Sequence, residues 1–333
     1  MTVAVLASPE DVRELVGILG ILRDLGIPSF GLKIRDNWDE KSGQSLVSRI
    51  ARASHVLVLS SRREAAKPWF LFVCGYCLGK TVRLALYRLE PAWDPPSYLA
   101  RVPVIDNDAE LGDYYHIEHG EWALQEERQQ ARSRLLEIGI SFHADSLAHC
   151  VSDGDLKAVE LFLKAGFHAN SRNKHGVPLL CLAARGKHKA VAELLLEFGA
   201  DIDLQGEDRG YSALMDAVLA GVPELVNLFL DRGANPDLQS KDGQTALVVA
   251  VGRNDIEVSR RLVEGGANPD IADKLGFSAR KYVALFRKPD LVALFEGLPE
   301  GGLGRKRGEG TGPEAGASAA GPARGPDSGT LAS

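Results

Sequence analysis

The glycines of this chain recur as two rails in phase. Gly166, Gly199, Gly233 and Gly266 are spaced 33, 34 and 33 residues apart. Gly176, Gly210, Gly243 and Gly276 follow ten or eleven residues behind, in steps of 34, 33 and 33. A fixed period near 33 restricts the fold to a stack of similar units, because one such unit cannot bury its own apolar face and needs neighbours on both sides. An array of this kind offers a binding surface and brings no catalytic centre of its own.

The chemistry between the rails repeats as well. Residues 155–164, 189–198, 224–232 and 256–264 have the apolar spacing of short amphipathic helices. Each ends near a first-rail glycine, which can take the left-handed backbone that closes a helix. Polar Asn170, Asp203, Asp237 and Asp270 follow four residues behind that glycine. The second rail opens into a further helix, as GVPLLCLAA (176–184), GYSALMDAV (210–218) and GQTALVVAV (243–251).

This pattern resembles the ankyrin repeat, a turn followed by two antiparallel helices with a T-P-L-H tetrapeptide at the start of the first. Here the tetrapeptide is read as Val177-Pro178-Leu179-Leu180, Ser212-Ala213-Leu214-Met215 and Thr245-Ala246-Leu247-Val248. No histidine occupies the fourth place, so the turn must be braced otherwise. Residues 142–173 and 274–297 are degenerate units, the latter with Arg280 where leucine belongs, as expected of terminal repeats that meet water on one face. The region 142–298 is thus three good repeats between two caps. Leu179, Leu182, Leu194, Leu195, Leu214, Leu228, Leu247 and Leu262 are the expected core.

A chain of 333 residues exceeds one ordinary domain. In residues 1–120, strands are expected at 3–7, 28–33, 55–60, 81–87 and 99–105, with helices over 10–25, 45–53 and 68–79. That alternation predicts a parallel sheet covered on both faces, a flavodoxin-like α/β domain whose ligands would sit beyond the carboxyl ends of the strands. The rim there carries Ala7–Ser8, Ile34–Gly43 and Ser60–Arg63.

The segment Ile34-Arg-Asp-Asn-Trp38, followed by Ser42-Gly43 and Ser45, then HVLVLSS (55–61) and Trp69, resembles a bacterial-type Toll/interleukin-1 receptor (TIR) domain. Nucleoside deoxyribosyltransferases share a similar sheet. Enzymes of the TIR type cleave NAD with a glutamate four residues after the tryptophan, and that position here is Val73. The helix WFLFVCGYCLGK (69–80) has no carboxylate. The resemblance therefore implies a degenerate domain without catalytic residues or cofactor, used for recognition or self-association, with Asp36, Trp38, Asp39 and Gly43 as the assembly loop. The alternative is an NAD-cleaving or nucleoside-processing enzyme that the repeats direct to its target, with Asp36, Asp39 or Glu40 as relocated acid.

A charged helix over 121–138, with apolar positions at 124, 131, 135 and 138, is expected to connect the two regions within 121–141. Residues 299–333 hold ten glycines, six alanines and four prolines against two leucines and no aromatic residue, a composition that predicts a disordered tail. Its Arg305-Lys306-Arg307 cluster is isolated. Cys74-x-x-Cys77 falls inside an apolar helix and reads as core rather than redox pair, and His116 and His119 lack a third metal ligand. The net charge of −6, from 39 basic and 45 acidic residues, argues against nucleic acid. Without a signal peptide or an apolar run long enough to span a membrane, and with four unframed cysteines, the chain is expected in the cytoplasm.

The expected function is that of a protein-binding scaffold. Its partner surface would comprise the turn tips Lys174, His175, Asp208, Arg209, Lys241, Asp242 and Lys274, with Arg185, Leu219 and Arg253 on the inner helices. No metal is expected.

Overall fold

The computed structural model describes residues 1–35, 40–80, 82–287, 289–296 and 298–300. Asp36, Trp38 and Asp39 of the expected assembly loop, and the expected tail beyond residue 300, lie outside them. The chain divides into two compact units, Met1–Ser146 with Lys157–Phe167, and Leu147–Leu156 with the chain from His168 onward.

The first unit begins β1 (Val3–Ala7), α1 (Val12–Asp24), β2 (Ser29–Lys33), α2 (Glu40–Ile50), β3 (His55–Ser60), α3 (Arg62–Ala65), α4 (Pro68–Leu78), β4 (Arg83–Arg88), β5 (Val104–Ile105) and α5 (Asp108–Glu137). Its five strands are all parallel and run in the order β2-β1-β3-β4-β5. That is the flavodoxin-like order, whose switch point lies between β1 and β3. Strands buried on both faces should read as unbroken apolar runs, and VAVLA and HVLVLS do. Their alternate residues feed two cores. Ala4, Leu6, Val56 and Val58 pack with Trp69 and Phe70, while Val3, Val5, Leu57 and Leu59 pack with Ile18 and Leu22.

Two expectations need adjustment. The fifth strand is only two residues long, because Pro96 opens a short 310 turn over Ser97–Leu99. The charged helix starts at Asp108 rather than 121. Asn107 accepts the Glu110 amide (3.0 Å) while Glu110 reaches back to the Asp106 amide (3.0 Å), a capping arrangement that fixes the true start. At 30 residues the helix is about 45 Å long. Leu111 and Tyr115 dock its first half on the sheet and Ala131 and Leu135 bury further on, but Leu124 and Ile138 are exposed, contrary to the sequence reading.

Later in this unit Phe142 stacks on Phe162, with ring centroids 5.9 Å apart, and Arg132 lies over the Phe142 ring. Phe162 belongs to α7 (Leu156–Lys164), which follows α6 (Ala144–Asp153).

The repeats proper continue with α8 (Leu179–Arg185), α9 (Lys189–Glu197), α10 (Ala213–Ala220), α11 (Pro223–Asp231), α12 (Ala246–Gly252), α13 (Ile256–Glu264), α14 (Ala279–Phe286) and α15 (Pro289–Phe295). The inner row α8, α10, α12, α14 and the outer row α9, α11, α13, α15 each pack neighbour on neighbour. Ser212, Thr245 and Ser278 cap the inner helices by accepting from the amide three residues on. The matching cap of α8 is Pro178. The first tetrapeptide therefore begins at Pro178, one residue later than the sequence reading, and Leu180 takes the leucine place. Leu182, Leu194 and Leu228 are only half-buried, because α8 buries Leu179, Leu180, Cys181, Ala183 and Ala184, and the outer helices bury Val191, Ala192, Leu195 and Leu225, Val226, Phe229 instead.

Candidate functional site

The turn tips stand on a hydrogen-bonded ladder between repeats. Asn170, Asp203 and Asp237 each accept the backbone amide of Asp201, Asn235 and Asn268 in the next unit, at 2.7–2.8 Å. Arg172, Gln205 and Gln239 form a second rail, each donating to a carbonyl in its own turn and to one in the next: Gly176 and Gln205, Gly210 and Gln239, Gly243 and Ala272. Backbone bonds complete it, with the Glu207, Lys241 and Lys274 amides donating to Gly176, Arg209 and Asp242 carbonyls. This tight spacing is why the second rail is glycine. A Cβ on Gly210, at φ +70°, would sit 2.6 Å from the Lys241 nitrogen.

Side chains within the turns replace the missing histidine. Asn173 Oδ1, Ser240 Oγ and Asp273 Oδ1 each accept two amides of their own turn. At the histidine place of the first repeat, the Cys181 thiol instead donates to the Leu204 and Tyr211 carbonyls, at 3.7 and 3.6 Å.

Three of the expected partner residues are drawn into one network. Arg185 donates through Nε to Asp216 (2.8 Å) and through both terminal nitrogens to Asp208 (2.7 and 3.2 Å). Arg209 donates to the other Asp216 oxygen (3.1 Å) and lies over the Tyr211 ring. Asp216 is fully buried, and burial pushes its carboxyl up to about 6 against the pull of both guanidiniums. The Arg185 guanidinium holds Asp208 down at about 2. The turn carrying Asp208 and Arg209 is one residue longer than its siblings: Gly206 bonds to Tyr211, five residues on, where Asn173, Ser240 and Asp273 bond four residues on. That extra residue is the 34 in the glycine spacing. Asp216 was not singled out from sequence, though a lone acid in ALMDAVLA was a visible signal.

Asp208 and Arg209 remain exposed within this network, and the other tips are exposed outside it. Lys174, His175, Lys241, Asp242 and Lys274 are exposed, with the Lys241 ammonium bonded to the Glu207 carbonyl. Arg253 is exposed and donates to the Leu219 carbonyl at 2.8 Å.

On the α/β domain, Val73 is fully buried beside Trp69 in the core, so this position, four residues after the tryptophan, does not open to a ligand. A buried acid near the rim is Glu64, just after β3, with one oxygen on the Lys67 ammonium (2.9 Å) and the other without a hydrogen-bond partner among the described residues. Arg63 and Glu10 pair across the ends of β3 and β1. Gly43 lies inside α2. Cys74 and Cys77 are buried free thiols, each pushed up to about 12 chiefly by burial. His116 is exposed, while Glu118 beside it is taken by Arg83 and by His55 Nε2 at 3.1 Å. Among the described residues no group of His, Cys, Asp and Glu is placed to hold a metal, and no helix is long and apolar enough to cross a membrane.

Comparison with known proteins agrees with this geometry. Residues 147–240 and 214–296 match the family model of ankyrin repeats in three copies. A putative ankyrin repeat-containing protein of Treponema pallidum (strain Nichols) is 34% identical over 262 residues, 78% of this chain and 88% of that protein. A match that long extends beyond the repeats into the α/β region. Ankyrin repeat and SAM domain-containing protein 6 of Mus musculus is 39% identical over 97 residues, 28% of this chain but 11% of its own. The 2-5A-dependent ribonuclease of Homo sapiens is 35% identical over 72 residues, 22% of this chain and 10% of its own.

Proposed function

Since the chain belongs to the ankyrin-repeat-containing proteins, which implies protein binding, we propose that it is a non-catalytic cytoplasmic scaffold. Its stack holds a protein partner on the concave face formed by turn tips and inner helices. Its α/β domain is a degenerate Toll/interleukin-1-receptor-like module that self-associates. The observation that carries this reading is the ladder of inter-repeat bonds, which holds Lys174, His175, Lys241, Asp242 and Lys274 in a fixed row at the surface.

Two features support the self-association half. The strand order 2-1-3-4-5 and the buried Trp69 at the start of α4 fit the resemblance. Helix α4 is apolar all round and exposes Leu71, Phe72 and Leu78, with no charged residue between Lys67 and Lys80. A surface helix of that composition is suited to an interface. The four free thiols support the cytoplasmic placement.

A photo-crosslinker introduced at His175 or Lys241 of the full-length protein should trap partners, and one at Glu197 or Glu264 on the outer helices should not. Products from the outer positions alone would move the binding site to the convex side. The enzyme alternative draws on Glu64, whose unpartnered buried oxygen is the kind of group a catalytic acid supplies. Nicotinamide release from NAD by the full chain, abolished by Glu64→Gln, would replace the scaffold reading. Absence of turnover at high protein concentration is the expected result.

A further inference from the structure

The inner face changes character along the stack. At its N-terminal end the charges satisfy one another, since Arg185, Asp208, Arg209 and Asp216 form a closed network. At its C-terminal end the same columns turn apolar. Tyr282 stands 33 residues after Val249 and 66 after Asp216, and Phe286 stands 33 after Arg253. Tyr282 stacks on Phe286, with ring centroids 5.7 Å apart, and leans on Phe277 at 5.3 Å. Beside this aromatic strip Leu275 is 77% exposed, Leu285 61%, Phe286 46% and Phe277 38%.

A terminal repeat is expected to turn a polar face outward. This one does so on one side only. Arg280, the residue that broke the leucine pattern, grips both oxygens of Asp270 (2.7 and 3.2 Å). It also donates to the Phe295, Leu298 and Pro299 carbonyls at 3.0–3.4 Å. The ladder position that would brace a following repeat is thus used for closure, and the carbonyls at the end of α15 are satisfied. Among the described residues the aromatic strip on α14 is left uncovered, and contiguous exposed apolar surface of this kind marks an interaction site.

The surroundings of the strip are basic. Lys274, Lys281 and Arg287 border it and are exposed, whereas its acid, Asp273, is buried and accepts from the Tyr282 hydroxyl at 2.7 Å. We propose that the last repeat is the main docking point of the concave face, and that its occupant is a partner segment with an aromatic or leucine anchor flanked by Asp or Glu. This rests on the reading that the concave face binds protein, and it continues that face to its apolar end.

The test pans a random 16-residue displayed peptide library against the full-length protein, then measures selected peptides by fluorescence anisotropy. Selected sequences should pair apolar anchors with acidic flanks. Binding should fall roughly tenfold or more in Phe286→Ser and Leu285→Ser, and further when Lys274→Glu and Lys281→Glu are added. Circular dichroism should show an unchanged fold. Peptides whose binding ignores Phe286→Ser but is lost in Lys241→Glu or Arg253→Glu would overturn this proposal and leave the concave-face reading standing. No enrichment, or basic-flanked consensus sequences, would also overturn it. So would a concentration-dependent dimer abolished by Phe286→Ser, because the strip would then belong to a second copy of the chain.

Discussion

The α/β domain and the repeat stack solve burial in opposite ways. In the first, strands far apart in sequence meet in one sheet, and each face of that sheet gathers side chains from three or more elements. In the second, each helix packs on its own partner and on the next unit. A defect in the α/β domain should therefore spread through the whole domain, and a defect in the stack should stay near its site.

Two core truncations give the largest expected effects and could break this contrast. Phe70→Ala should cost about 3–5 kcal/mol and Leu195→Ala about 2–5 kcal/mol, read from denaturant titrations. Hydrogen exchange then separates the modes. Phe70→Ala should raise exchange across β1, β3 and β4 together, whereas Leu195→Ala should raise it mainly in α8 to α11. Uniform loss of protection in the second variant would mean that the stack folds as a single cooperative block.

Glycine substitutions come next. Gly199, at φ +80°, has open space around its Cβ position, so Gly199→Ala should cost only the left-handed strain, roughly 1–2 kcal/mol. Gly210→Ala adds a collision with the Lys241 backbone and should cost about 1–3 kcal/mol more. Equal melting temperatures would show that the inter-repeat ladder is looser than its geometry implies.

Cap exchange is smaller. Ser212→Ala should lose about 1 kcal/mol, and Pro178→Thr, which restores a hydroxyl where α8 has none, should gain about 0.5 kcal/mol.

The smallest effect compares the two regions under acid. Burial lowers the pKa of His55 in the α/β domain. The unfolded chain then binds the extra proton, so that domain loses stability as pH falls below about 6.5. Burial raises Asp216 to about 6 in the stack. There the native state binds the extra proton, so acidification from pH 7 toward 4 relieves the site. Asp208, held near 2, does not titrate in that window. Stability differences between the native protein and His55→Gln or Asp216→Asn, followed from pH 4 to 7, should slope in opposite directions.

Much of this was legible in the residues, for reasons specific to each element. Strands β1 and β3 announced themselves as unbroken apolar runs because both their faces are buried. The glycine rails were visible because left-handed turns and close backbone approach admit almost nothing else. Less was legible at the surface. Leu194 and Leu228 suit a core by type, yet the helix phase that turns them half outward depends on which neighbour packs below. The start of α5 was missed because a polar Asn107-x-x-Glu110 cap precedes a stretch without clear apolar period.

The sequence by itself determined the repeat, its period and the parallel sheet, since periodicity and local backbone demands are written one residue at a time. Tertiary structure alone decided which charges are available. Arg185, Asp208 and Arg209 look alike with Lys174 or Lys274 on paper, but the buried carboxylate of Asp216 ties down both arginines and Arg185 in turn holds Asp208, while Arg280 closes the last repeat and, among the described residues, leaves the aromatic strip bare. Pairing depends on distance and burial, and the fold sets both by bringing together side chains that lie 31 residues apart in one case and 10 in the other.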